Sequence, residues 1–129
     1  MNKKYLIVVA DYYKNIAKGL LKSANDLLPK STSIKIINVP GVFEIPVTIS
    51  KNIKKYDGFL ALGCVIKGET PHFDFISHAS TDGIMKLSIE NKKPIGNGII
   101  TCLNMKQAII RMKKGREAAQ AVMSVLSQK

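Results

Sequence analysis

Apolar positions along the chain follow two alternating rhythms. Tyr5 to Ala10 is continuously apolar over its middle, the pattern of a strand buried on both faces and so central in a sheet. Asp11-Tyr12-Tyr13 follows at its carboxyl end. From Lys14 to Leu28 the period becomes helical, with Ile16, Leu20, Ala24, Leu27 and Leu28 spaced to face a core, and Pro29 marks the stop. Ser33 to Val39 is an isoleucine-rich second strand, broken by Pro40-Gly41. A short helix is predicted from Ile45 to Lys54, with Pro46 tolerated in its first turn. Gly58 to Ile66 is a third, buried strand. Its helix runs from Pro71 to Asn91, with Ile76, Ala79, Gly83, Ile84 and Leu87 on one face, and Pro94 ends the segment. Ile95 to Thr101 is a fourth strand, weakened by Gly96 and Gly98. A helical pattern from Asn104 to Ser127 closes the chain, with a break predicted at Gly115.

The order is βαβαβαβα. Such alternation with short turns predicts an α/β fold, a parallel sheet covered by helices through right-handed crossovers. No linker, internal repeat or low-complexity tract interrupts it. Residues 1–129 therefore read as one domain, long enough to bury a core.

Composition narrows the classes. An apolar fraction of 46% with dispersed hydrophobic runs argues for a globular chain. The run Tyr5-Leu6-Ile7-Val8-Val9 is too short for a signal peptide and no small-residue cleavage site follows it. No stretch approaches the roughly 20 apolar residues of a membrane span, so the expected compartment is the cytoplasm, with no membrane partner. Cys64 and Cys102 lack zinc-ligand spacing, and in a reducing cell they read as small core residues rather than a disulfide. The net charge of +11 raises nucleic acid or an anionic metabolite as a partner. The lysines are scattered, however, in pairs such as Lys54-Lys55, Lys92-Lys93 and Lys113-Lys114, and no basic stripe is interleaved with aromatics. A solvated basic surface without nucleic acid is the expectation.

The candidate chemistry gathers at the carboxyl ends of the strands, where open α/β sheets usually bind ligands. Gly63-Cys64-Val65-Ile66-Lys67-Gly68-Glu69-Thr70-Pro71-His72-Phe73-Asp74 passes from strand to helix. Gly68 frees the backbone, Thr70 suits the N-cap and Pro71 the first helical position. A helix start offers unpaired N–H groups and a positive dipole end, and the two together attract anions. Lys67 adds a full charge. His72, in the same turn, is a titratable base, and Asp74 stands ready to orient its ring. His78 reads as a surface or packing residue. No His/Cys/Asp constellation for a metal is present, and no dinucleotide fingerprint follows the first strand.

That stretch resembles the signature of the lumazine synthase family, the penultimate enzyme of riboflavin synthesis. Val39-Pro40-Gly41-Val42-Phe43-Glu44-Ile45-Pro46, Pro94-Ile95-Gly96-Asn97-Gly98-Ile99-Ile100-Thr101 and Gln107-Ala108-Ile109-Ile110-Arg111 resemble three further family motifs, in the family's order. The resemblance covers residues 5 to 126 and implies a four-stranded parallel sheet of flavodoxin-like order with helices on both faces. It implies condensation of 5-amino-6-ribitylamino-uracil with 3,4-dihydroxy-2-butanone 4-phosphate to 6,7-dimethyl-8-ribityllumazine, without metal or redox cofactor. His72 would be the proton shuttle. Tyr12 would stack on the pyrimidine, and Val42, Phe43, Glu44, Cys64, Val65, Ile66 and Asn97 would contact the ring and ribityl chain. Gly68, Glu69 and Thr70 would hold the phosphate through the turn, and Arg111 would close over it with a fork geometry suited to phosphate. Family members commonly carry a longer connection after the arginine, ending in a lysine. Here only Met112-Lys113-Lys114-Gly115 remains, with Lys114 as the candidate for that lysine. The resemblance also implies a homo-oligomer, a pentamer, with each site between adjacent subunits. Two alternatives stay open on the residues alone: a basic flavodoxin-like module that binds nucleotide or nucleic acid, and an inactive relative that binds lumazine or flavin.

Overall fold

The computed structural model describes residues 3–128. Residues 1, 2 and 129, which the single-domain reading included, lie outside the described residues. The elements are β1 (Lys4–Ala10), α1 (Lys14–Leu27), β2 (Ser33–Val39), a 3-10 turn (Val42–Glu44), α2 (Ile45–Asn52), β3 (Gly58–Ile66), α3 (His72–Asn91), β4 (Ile95–Cys102), α4 (Met105–Ile110), a second 3-10 turn (Arg111–Lys113) and α5 (Lys114–Leu126). The four strands pair in parallel in the order β2-β1-β3-β4, the flavodoxin-like order.

Alternate residues of each central strand point to opposite faces, so β1 feeds two cores. Tyr5, Ile7 and Val9 pack with Leu60, Leu62 and Cys64 of β3 against Leu20 and Ala24 of α1 and Ala119 and Val122 of α5. Leu6, Val8 and Ala10 pack with Phe59 and Ala61 against Ile45 and Ile49 of α2 and Ile84 of α3. Helices therefore cover both faces, as an apolar run without alternation requires. β2 and β4 are the edges, and β2 is correspondingly half exposed.

Three local expectations are corrected. The break in the last helical segment lies at the 3-10 turn Arg111–Lys113, not at Gly115, which sits inside α5. Gly115 is required there by proximity: a Cβ would collide with the Leu20 carbonyl oxygen of α1. On α3, Ala79 is exposed and Ser80 takes its core position. The Ser80 hydroxyl donates to the Ile76 carbonyl at 2.7 Å, which lets a polar side chain sit buried. Finally, α3 starts at His72 with Pro71 as its N-cap, one position later than expected for Thr70. Pro71 supplies the carbonyl that accepts from Asp74 and Phe75, at 3.0 and 3.2 Å.

Candidate active site

The first strand register fixes where the site lies. Ala10 is level with Val39 of β2, and Val9 with Leu62 of β3, so these three strands deliver their carboxyl ends to one rim. The chain order reverses between β1 and β3, which makes this rim the switch point of the sheet. Gly63 permits the 3-10 turn to settle on β3, since a Cβ there would press on the Val42 side chain at 2.7 Å. Val42 is thereby buried, while Phe43 and Glu44 project outward.

A cavity of about 700 Å³ opens at this rim. Its walls bring together Tyr12, Val42, Phe43, Glu44, Cys64, Val65, Ile66 and His72, which come from four separate stretches of sequence. Four more residues line it that the motif reading did not single out: Tyr13, Gly41, Phe75 and Ile76. Phe75 and Ile76 stand three and four positions after His72, a helical spacing that could have flagged them. Tyr12 and Phe43 are strongly exposed for aromatics, at 75% and 59%. Glu44 makes no ion pair among the described residues, which leaves its carboxylate available as an acceptor. Its backbone is anchored instead: Glu44 N–H donates to the Gly41 carbonyl at 3.2 Å, and the Glu44 carbonyl accepts from the Thr48 hydroxyl at 2.8 Å. Cys64 lies at the cavity floor as a free thiol. Burial pushes that thiol up to about 12, and Cys102 reinforces the shift by its charge and by a hydrogen bond. It is held neutral and acts as an apolar wall.

The turn between β3 and α3 adjoins the His72 end of the cavity without lining it. Gly68, Glu69 and Thr70 are all exposed there. The Lys67 N–H is taken by the Cys102 carbonyl at 2.8 Å, which ties the turn to the end of β4. The Thr70 hydroxyl accepts from the His72 N–H at 3.4 Å, a long contact. Among the described residues the N–H groups of Gly68, Glu69 and Thr70 have no partner, so they are free for an anion. Asp74 is exposed in the first turn of α3 and lines no cavity.

Asn97, Arg111 and Lys114 are elsewhere. They line a second cavity of about 360 Å³, against the edge strand β4, together with Thr101, Lys113 and Glu117. Asn104 caps α4 by accepting from the Gln107 N–H at 2.9 Å, and Gln107 reaches back to the Leu103 N–H at 2.8 Å. The helix so fixed ends at Arg111, whose guanidinium donates to the Thr101 carbonyl at 2.8 Å. The Asn97 side chain accepts from the Ile99 N–H at 3.0 Å. Lys114 pairs with Glu117 at 3.4 Å, a partner three positions on that the motif reading missed. Within one chain the structure thus gathers eight of the expected residues and holds Asn97, Arg111 and Lys114 apart from them. Among the described residues, no group of three or more His, Cys, Asp or Glu side chains could hold a metal ion.

Taken with the sheet, the rim cavity puts this chain in the class of α/β proteins that bind small molecules at the strand ends. Comparison with known proteins narrows the class. Residues 2–129 match the family described as 6,7-dimethyl-8-ribityllumazine synthase. A protein of that name from Bartonella bacilliformis is 42% identical over 139 residues, covering 100% of this chain and 91% of the relative. Its counterpart from Agrobacterium fabrum is 38% identical over 143 residues, with 100% and 97% covered. That from Limosilactobacillus reuteri is 40% identical over 126 residues, with 93% and 83% covered. The chain belongs to the 6,7-dimethyl-8-ribityllumazine synthase family, transferases of riboflavin biosynthesis.

Proposed function

We propose that the rim cavity binds 5-amino-6-ribitylamino-uracil and that the adjoining turn holds the phosphate of 3,4-dihydroxy-2-butanone 4-phosphate. The observation that carries this reading is the convergence of Tyr12, Phe43, Glu44 and His72 on one cavity beside a turn of free amides. The pyrimidine stacks on Tyr12. Glu44, an acceptor without a cationic partner, takes hydrogen bonds from the ribityl hydroxyls. The N–H groups of Gly68, Glu69 and Thr70 receive the phosphate at the amino end of α3, with Lys67 nearby. The pyrimidine amine attacks the ketone, water leaves as the imine forms, phosphate departs, and the second amine closes the ring with loss of water. His72 moves protons between these steps. Asp74, two residues on in the first turn of α3, adds negative charge near the His72 ring without a direct bond to it. Most of the acceleration comes from holding two substrates in register. No cofactor enters this scheme.

The chain acts as a homo-oligomer in this reading, and the second cavity of one subunit faces the first of its neighbour. Exposed apolar side chains flank both halves: Phe43 and Phe75 at the first, Leu103, Ile109 and Ile110 near the second. Arg111, Asn97 and Lys114 then complete the neighbour's site, with Arg111 closing on the phosphate. Such a head-to-tail contact closes into a ring, for which we propose a pentamer. The compartment that suits the two metabolites is the cytoplasm, and among the described residues no helix is long and apolar enough to cross a membrane.

Mixing the protein with both substrates and following lumazine absorbance tests the reaction. His72→Ala is expected to lower kcat by a factor on the order of 10²–10⁴ and to leave residual turnover from positioning alone. Unchanged turnover in that variant would remove the role given to His72.

A further inference from the structure

Within its own chain Tyr12 is three-quarters exposed, so few contacts of that chain fix its stacking face. A side chain that open loses rotamer freedom when it stacks, and that loss weakens binding. Its neighbour Tyr13 is in a different environment. Tyr13 is half-buried and packs against the core of β1, β3 and α1. Its carbonyl accepts from the Ala17 N–H at 2.9 Å in the first turn of α1, so its backbone is fixed as well. Burial pushes its phenol up, with Cys64 and then Tyr12 adding to the shift, as expected of a ring wedged between core and cavity. The two rings meet edge to face, with centroids 4.9 Å apart and planes at 86°. That is a favourable aromatic geometry.

We propose that Tyr13 is a positioning residue: a core-anchored ring that sets the plane of Tyr12 before the pyrimidine arrives. The inference rests on the stacking role given to Tyr12 above. A rigid support behind an exposed contact residue reduces the ordering cost of binding. It acts on affinity for the pyrimidine and not on the proton transfers at His72.

Steady-state kinetics on four variants test it. Tyr13→Leu, or Tyr13→Met should the first fold poorly, keeps an apolar core contact but removes the ring edge. It is expected to raise KM for the pyrimidine by about 3- to 10-fold, with kcat and the KM for the phosphate substrate within about twofold of the parent. Tyr13→Phe, which keeps the ring, is expected to recover most of that loss. In a Tyr12→Ala background, Tyr13→Leu should add nothing further, since the ring it orients is gone. A full additional rise in the double variant, or a fall in kcat that Tyr13→Phe does not relieve, overturns the proposal. Tyr12→Ala raising KM while Tyr13→Leu leaves it unchanged also overturns it, and leaves the stacking role of Tyr12 standing. Tyr12→Ala without effect on KM removes both.

Discussion

Cys64 illustrates what a residue's surroundings add to its identity. In sequence it is one thiol in an apolar run. In the fold it forms part of a cavity floor beside Cys102, and burial raises its thiol from 9.0 to about 12. The folded chain therefore holds that proton more tightly than the unfolded chain does. The associated stability is complete below about pH 9 and is lost as pH rises from there toward 12, at up to about 1.4 kcal/mol per pH unit. Tyr5 and Tyr13, also raised by burial, act in the same direction at higher pH. Urea denaturation between about pH 8 and 11 should show a falling midpoint, with a shallower fall in Cys64→Ala. Parallel pH slopes for parent and variant would contradict this. At this scale the motifs single out His72, Phe43 and Glu44 by their distinctive spacing and company, and the fold brings the three to one cavity. Tyr13 and Glu117 go unmarked, because a ring contact with Tyr12 and an ion pair with Lys114 leave no local pattern in the sequence.

Element boundaries were legible where chemistry punctuates the chain. Pro29, Pro40-Gly41 and Pro94 end their segments as expected, and the four strands and the helices between them are where periodicity puts them, whereas it does not foresee the two 3-10 turns, one of which splits the last helical segment. The misplacements have a common cause. Thr70 and Pro71 are both good at helix starts, and which one caps depends on the carbonyl that the next turn uses, here Pro71. Gly115 suggested a break because glycine weakens helices, yet it serves the contact between α1 and α5. Ser23 lies at the same contact, accepting from the Arg116 N–H at 2.9 Å. Gly115→Ala should improve helix propensity by about 1 kcal/mol in isolation. In the protein the steric cost of about 1–3 kcal/mol should match or exceed that gain, because the obstacle is backbone and cannot rotate away. A lowered melting temperature with an unchanged helical spectrum is the expected outcome. A raised melting temperature would mean that α1 and α5 separate at little cost.

For the whole molecule, the strand order is implied only by the family resemblance, while the parallel sheet and its two cores follow from alternation and from apolar runs that demand cover on both faces. The division of the site does not. Sequence order places Asn97 and Arg111 after His72 without saying whether they reach it. The fold sets them against the edge strand β4, in a cavity of their own. In the proposed shared site a complete set of residues needs two chains, and exposed apolar residues lie beside each half where such a contact would form. Mixing His72→Ala with Arg111→Ala subunits, after dissociation and reassembly, tests this division most directly. Either variant alone has no site with both residues intact. In statistical mixtures one interface in about four regains both, so activity should rise to about a quarter of the parent's. Activity equal to the average of the two variants, with no recovery on mixing, would contradict the shared site.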